Sequence, residues 1–100
     1  MFDYQAAIDW NGRRRRPDEG SPAAFWAARF TEDHVEYLGI ESAEGLANGQ
    51  VRLSGHLRRD RPGANDGTSQ LARFEQIWAR TVSGTQVTSF TVGPWETQPN

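Results

Sequence analysis

The stretch from Gln70 to Val92 constrains the fold most, because it has the composition and spacing of a long β-hairpin. β-branched and aromatic residues favour a pleated, half-buried surface. Here they are Phe74, Ile77, Trp78, Val82, Val87, Phe90 and Val92. A Ser-Gly pair at 83–84 interrupts the run, and Gly tolerates the positive φ of tight hairpin turns. The upstream arm is apolar on both faces, which is typical of a central strand covered on both sides, but polar residues are mixed into both faces. We therefore expect one face to line something wetter than a core.

Four further elements are predicted before the hairpin. They are a strand at Phe2–Trp10, a helix from Ser21-Pro22 to Phe30, and strands at His34–Ile40 and Gln50–Arg58. The first strand alternates strictly between apolar and polar residues, and the helix begins with a capping Ser and a Pro suited to the first position. The order β-α-β-β-β-β predicts an α+β domain with a curved, mostly antiparallel sheet of about five strands packed on one short helix.

The remaining segments read as connections within a single domain spanning residues 1–100. They are an exposed Arg-rich loop at 13–20, a break after the helix at 31–33, a connection at 41–49, a mobile loop at 60–69 and a tail at 94–100. Clusters of Gly, Pro, Asp and Ser mark such segments.

All eleven basic residues are Arg, and the net charge is −2. This usage fits either the codon bias of a GC-rich genome or selection for bidentate recognition of carboxylate or phosphate. The net charge argues against broad nucleic-acid affinity, which needs a basic surface. The run Arg13–Arg16 suggests phosphate or nucleic-acid contact, but no aromatic residue interrupts it and Asp18 and Glu19 offset its charge. A solvated loop is the favoured interpretation.

Several functional classes lack support in the sequence. There is no Cys, so neither disulfides nor a Cys-ligated zinc site can form, and the spacing of His34 and His56 requires no metal site. No cofactor-binding motif is present, and we expect none to be bound. No run of about 20 apolar residues or signal-peptide pattern is present, so we expect a cytoplasmic protein without membrane contact.

Five residues are candidates for acid–base chemistry: Asp9, His34, Glu36, His56 and Glu75. A carboxylate or imidazole in an apolar pocket can serve as a proton donor or acceptor. We select His34, Glu75 and His56 as the catalytic candidates. The structural alternative is an exposed strand position for Asp9, Glu36 and His56, and a cross-strand ion pair with an Arg for Glu75. The aromatic residues Trp10, Trp26, Tyr37 and Trp78 either line a ligand pocket or supply the core of a small domain.

The C-terminal half resembles the last three strands of NTF2-like domains, and the SnoaL-like polyketide cyclase group in particular. The matching runs are VRLSGHLRRD at 51–60, DG at 66–67, RFEQIWART at 73–81 and QVTSF at 86–90, with AAFWAARF at 23–30 as the preceding helix. The resemblance covers residues 22–92 and implies a cupped small-molecule pocket. NTF2-like domains open with two longer helices that close this pocket, whereas this chain opens with a strand. The resemblance thus implies a pocket that is truncated or completed by a second subunit.

Two functional hypotheses follow. The first is a domain that binds a small apolar ligand in a cupped pocket, with isomerase, cyclase or hydratase activity by general acid–base chemistry. Trp26, Tyr37, Trp78 and Arg73 would contact the ligand beside the three catalytic candidates. The second is a non-enzymatic protein-binding module, such as a small inhibitor or accessory protein of the kind that phages encode. Its polar loops and exposed edge strands would bind a protein partner or a second copy as a homodimer.

Overall fold

The computed structural model of the protein describes residues 2–60 and 68–97, apart from the side chain of Tyr4. These residues form one α-helix, two short 3-10 turns and one sheet of seven strands. The strands are β1 (Phe2–Trp10), β2 (Arg13–Arg14), β3 (Glu36–Gly45), β4 (Val51–Asp60), β5 (Ser69–Thr81), β6 (Gly84–Val92) and β7 (Glu96–Thr97). The helix α1 spans Pro22–Glu32, and the 3-10 turns span Pro17–Glu19 and Ala47–Gly49.

The sheet has the strand order β2-β1-β6-β5-β4-β3, with β7 paired to β5. Strands β3 to β6 form an antiparallel meander, and β1 joins it in parallel by placing Ile8 beside Phe90. The predicted α+β class and mostly antiparallel sheet are confirmed. The expected number of about five strands is wrong, because β2 and β7 add two pairings of two residues each. Elements this short show no hydrophobic period in a sequence.

The predicted hairpin between Gln70 and Val92 is confirmed as β5 and β6. The strands close at a pairing of Thr81 with Gly84, and Gly84 has a φ of 105°. This left-handed backbone conformation is one that Gly adopts without a steric penalty. Glycine therefore marks the turn, as the Ser-Gly pair indicated.

Several boundaries differ from the predicted ones. The helix continues through Thr31 and Glu32, where the Thr31 hydroxyl donates to the Ala27 carbonyl at 3.0 Å. Strand β3 begins and ends later than predicted, taking up half of the expected connection at 41–49. The tail at 94–100 is partly ordered as β7, while residues 98–100 and most of the loop at 60–69 lie outside the described residues.

The core lies on one face of the sheet, called here the helix face because α1 packs on it. The ring of Trp26 on the helix lies 4.3 Å from that of Phe90, and Phe74 lies 5.8 Å from Phe90. Buried apolar side chains of this core include Ile8, Trp10, Phe25, Leu57, Ala72, Val87 and Val92. The aromatic side chains are thus shared between a core and the edge of a cavity described below.

The opposite face, called here the open face, has no described helix over it. Along β5, Ala72, Phe74 and Gln76 are buried, whereas Arg73 and Glu75 are exposed. The strand is central, pairing with β4 and β6, and its polar face is exposed, in agreement with the expectation that one face is wetter than a core. Its second face lies open, which explains the polar residues there.

Strands β3 and β4 approach each other unusually closely at one point. Gly55 of β4 is buried, and a Cβ atom added to it would lie 2.1 Å from the carbonyl oxygen of Gly39 in β3. The pairing of β3 with β4 is irregular on both sides of this contact, between Tyr37 and Gly39 and between Ile40 and Ser42. The absence of a side chain at Gly55 thus permits the irregular path of β3.

Candidate functional site

A cavity of about 340 Å³ opens on the helix face between β3, β4 and β5. Its lining residues are Tyr37, Gly39, Ile40, Leu53, Gln76 and Trp78. The helix aromatics Trp26 and Phe30 pack against the Tyr37 ring at 6.0 and 5.5 Å, and neither is among the residues that line the cavity. The exposed fractions of Tyr37 and Ile40 are 38% and 52%.

A chain of hydrogen bonds runs along one wall of this helix-face cavity. The indole Nε1 of Trp78 donates to Gln76 Oε1 at 3.1 Å, and Gln76 Nε2 donates to the Tyr37 hydroxyl oxygen at 2.7 Å. Gln76 is only 3% exposed, so both ends of its amide need these partners. The two contacts together fix which end of the amide points to Tyr37.

Tyr37 is one of three lining residues, with Gln76 and Trp78, whose side chains carry a polar group. Burial raises the pKa of Tyr37 to about 12, with hydrogen bonds from Gln76 and Trp26 acting in the opposite direction. The phenol therefore keeps its proton at neutral pH. Its oxygen accepts from Gln76, and within residues 2–60 and 68–97 its own proton has no hydrogen-bond acceptor. The Tyr37 side chain thus lines the cavity and carries an O–H donor for which the described residues provide no acceptor.

The predicted site residues fall into separate groups. Tyr37 and Trp78 share the helix-face cavity, and the ring of Trp26 packs beside it at 6.0 Å from that of Tyr37. His34 lies exposed between α1 and β3, with a φ of 55°. His56, Glu75 and Arg73 belong to the open face and are considered next. The structure thus brings the aromatic walls together and does not bring the three catalytic candidates to them.

Gln76 was not among the candidates selected from the sequence. Its only signal there is the two-residue alternation, which places it on the same face of β5 as Phe74 and Trp78. A single buried amide between aromatic residues is a site feature that no short motif reports.

The open face carries a ladder of charged pairs across β3 and β4. Arg58 Nη1 lies 3.2 Å from Glu36 Oε1, and Arg52 Nη1 lies 3.0 Å from Glu44 Oε1. Arg52 Nε also lies 3.5 Å from Glu75 Oε1 on β5, so Glu75 takes part in the cross-strand ion pair given above as its structural alternative. Such exposed pairs fix strand register more than they add stability.

A second cavity, of about 400 Å³, lies on the open face and is called here the open-face cavity. Its lining residues are His56, Leu71, Ala72, Arg73, Gly93, Pro94 and Glu96. His56 and Arg73 are direct partners in the pairing of β4 with β5. The His56 ring contacts Glu41 through Nδ1. Two of the predicted site residues therefore meet here, on the face opposite Tyr37 and Trp78.

Arg residues of the Arg-rich loop form hydrogen bonds and ion pairs with other groups of the same chain. Arg13 makes a bidentate contact to Glu19 at 2.7 and 2.8 Å, and Arg14 Nε donates to Asp9 at 2.6 Å. Arg15 Nη1 donates to the carbonyl of Gly20 at 2.5 Å. The hydrogen bond from Arg13 is the largest of the effects that lower the pKa of Glu19 to about 2. These contacts give Arg13, Arg14 and Arg15 hydrogen-bond partners within the chain.

No three His, Asp or Glu side chains of the described residues converge in a way that would hold a metal ion. Nor is any helix in this part of the chain long and apolar enough to cross a membrane. Comparison of the chain with models of known protein families, with curated proteins and with solved structures gives no match. The resemblance to NTF2-like domains therefore stays a prediction.

Proposed function

We propose that the protein binds a small, mostly apolar molecule in the helix-face cavity, with the Tyr37 hydroxyl donating a hydrogen bond to an oxygen of that ligand. The observation that carries the proposal is the buried Gln76 amide, which occupies the Tyr37 oxygen and leaves the phenolic proton for an incoming acceptor. An apolar cavity with one oriented polar group is the usual form of a small-molecule site.

The walls and the hydroxyl have different roles in this proposal. Ile40, Leu53 and Trp78 supply apolar contact, which contributes roughly 25 cal/mol for each Å² removed from water. A neutral hydrogen bond adds about 0.5–1.5 kcal/mol, so the Tyr37 contact selects among ligands more than it holds them. Because Tyr37 stays neutral, a ketone or similar uncharged acceptor suits it.

Binding is better supported than acid–base catalysis at this cavity. No carboxylate or imidazole is among its lining residues, and the selected candidates His34, Glu75 and His56 lie elsewhere. The isomerase, cyclase or hydratase activity suggested by the NTF2-like resemblance would have to rely on Tyr37 as a hydrogen-bond donor. We therefore place ligand binding first.

Two probes of nearly the same shape test the proposal: 2-acetylnaphthalene, which has a carbonyl, and 2-isopropenylnaphthalene, which does not. In equilibrium dialysis the protein should bind both, and the ketone about two- to tenfold more tightly. Tyr37→Phe should remove this preference and leave binding of the alkene unchanged. Trp78→Ala should weaken binding of both, whereas Val82→Ala, at a fully exposed turn position, should change neither. The absence of saturable binding of either probe would contradict the proposal.

A protein-binding module is a second proposal, favoured by strand β3. All ten residues of β3 are exposed, it pairs only with β4 among the described strands, and Leu38 and Ile40 are 53% and 52% exposed. Unpaired edge strands are surfaces on which a second strand can add. Light scattering across a range of concentrations tests self-association. A mass that doubles for the wild type but not for Leu38→Lys supports it, and a monomer throughout opposes it.

A further inference from the structure

We infer that the open-face cavity is a second binding site, in which Arg73 holds the carboxylate of a small organic acid and His56 forms the adjoining wall. This site is independent of the helix-face cavity, because His56 of β4 and Leu71 and Arg73 of β5 lie on the opposite face of the sheet.

The first argument compares the side-chain partners of Arg73 with those of other Arg residues in the sheet. Arg52 and Arg58 each lie within 4.0 Å of two carboxylates, and Arg59 Nε donates to Gln70 at 3.0 Å. Arg73 and Arg80 are both exposed and have no carboxylate partner within the described parts of the chain, but of the two only Arg73 lines the open-face cavity. A guanidinium presents a planar pair of donors that matches a carboxylate, so Arg73 has a binding capacity that the fold does not use.

The second argument is the neighbouring imidazole. His56 lies directly across from Arg73 in the strand register, and Glu41 contacts its Nδ1 from β3. The contact orients the ring and occupies Nδ1, and Nε2 has no hydrogen-bond partner among the described residues. The guanidinium of Arg73 on β5 and the imidazole of His56 on β4 thus lie in one cavity, and Glu41 on β3 orients the imidazole. All three strands belong to one hydrogen-bonded sheet.

The third argument concerns the kind of acid. Leu71, Ala72 and Pro94 give the cavity an apolar floor, which suits a hydrocarbon or aromatic body beside the carboxylate. Arg73 is the single guanidinium among the lining residues, which also include Glu96, so a singly charged carboxylate fits better than a phosphate dianion. The volume of about 400 Å³ admits a molecule of one or two rings.

Three probes with a common naphthalene body separate these requirements: 2-naphthoate, the neutral 2-naphthamide and 2-naphthyl phosphate. In titration calorimetry, the protein should bind 2-naphthoate about ten- to a hundredfold more tightly than 2-naphthamide, since a charge-assisted pair replaces a neutral contact. The phosphate should bind more weakly than the carboxylate. Comparable binding of the phosphate or of the amide to Trp78→Ala, in which the helix-face cavity is altered, would overturn the assignment.

Variants locate the site. Arg73→Gln should lose the preference for 2-naphthoate, and Arg73→Lys should retain part of it because the charge remains without the bidentate geometry. The matched control is Arg80→Gln, since Arg80 is exposed on the same strand and lines neither cavity. Trp78→Ala, which alters the helix-face cavity, should leave binding of 2-naphthoate unchanged. Equal losses in Arg73→Gln and Arg80→Gln would refute the site.

A structural readout complements the affinities. The imidazole resonances of His56 should shift when 2-naphthoate is added, whereas those of His34, exposed and outside both cavities, should not. Thermal unfolding of Arg73→Gln should match that of the wild type, because no ion pair of the described residues is lost. Saturable binding that leaves His56 unperturbed would place the carboxylate elsewhere and overturn the inference.

Discussion

Replacing Gly55 with Ala tests the close approach of β3 to β4 directly. The added Cβ would lie 2.1 Å from the carbonyl oxygen of Gly39 and 3.1 Å from Cε1 of Phe74, whereas ordinary contact begins at 3.4 Å. Neither neighbour is the free end of a flexible side chain, because one is backbone and the other is a fully buried ring. Strand β3 would therefore have to move by about an ångström or more relative to β4.

The expected cost follows from these contacts. Overpacking a well-packed core costs about 1–3 kcal/mol, and Gly→Ala regains about 0.4–1 kcal/mol by restricting the unfolded chain. The free energy of unfolding should thus fall by about 1–2 kcal/mol, out of the roughly 5–15 kcal/mol typical of a small domain. For a domain of this size that corresponds to a decrease in Tm of about 4–16 °C.

The assay is thermal and urea unfolding followed by circular dichroism, with Gly45→Ala as the control. Gly45 ends β3, has no positive φ, and a Cβ added there meets no atom within 4 Å. This control should leave Tm unchanged or raise it slightly. If Gly55→Ala were as stable as Gly45→Ala, the close approach of the two strands would be refuted.

Three further predictions concern the helix cap, the core and the Arg-rich loop. Ser21→Ala should lower the free energy of unfolding in urea by about 1 kcal/mol, because the Ser21 hydroxyl accepts from the Ala24 amide at 3.2 Å; Ser21→Asp, which keeps a cap, should not. Phe90→Ala should cost about 3–5 kcal/mol in the same assay, since Phe90 is 0% exposed, and a cost below about 1 kcal/mol would contradict its place in the core. Glu19→Gln should flatten the loss of stability in acid: Arg13 and the loop lower the pKa of Glu19 from 4.5 to about 2, so its contribution is present above about pH 4.5 and disappears as pH falls toward 2. Parallel acid unfolding curves of Glu19→Gln and the wild type would oppose this assignment.

The sequence predicts a strand or helix well where the segment itself has a hydrophobic period or a capping residue. Strand β1 and the hairpin of β5 and β6 show a two-residue period, and the Ser-Pro pair marks the start of α1. Strand β3 is different, because its second half, Glu41–Gly45, is polar and glycine-containing and reads as a loop. Cross-strand pairs such as Glu44–Arg52 help to hold it in the sheet, and such pairs depend on a register that one strand alone does not reveal.

The same distinction applies to the candidate site residues. What the pattern of a single strand shows is predicted, and what depends on how the strands and the helix pack is not. Alternation correctly groups Gln76 with Trp78 and separates them from Arg73 and Glu75, but it does not tell which face the helix covers. Selecting site residues by chemical type therefore combined Glu75 and His56 of the open face with His34 from a loop and with aromatic residues of the helix face. The positions of Tyr37 and His56 beside their partners follow only from how β3 lies against β4, including its irregular pairing around Gly39.

The parallel pairing of β1 with β6 has a consequence for the order in which the protein folds. Ile8 and Trp10 find their neighbours Phe90 and Val92 almost a whole chain length away, while β3 to β6 join through short local connections. Closing so long a loop is entropically costly until the rest of the sheet provides a template. We expect the meander to form first, with β1 added afterwards. A nascent chain would thus carry its first strand, and the indole of Trp10, without a native partner until β6 has been synthesised.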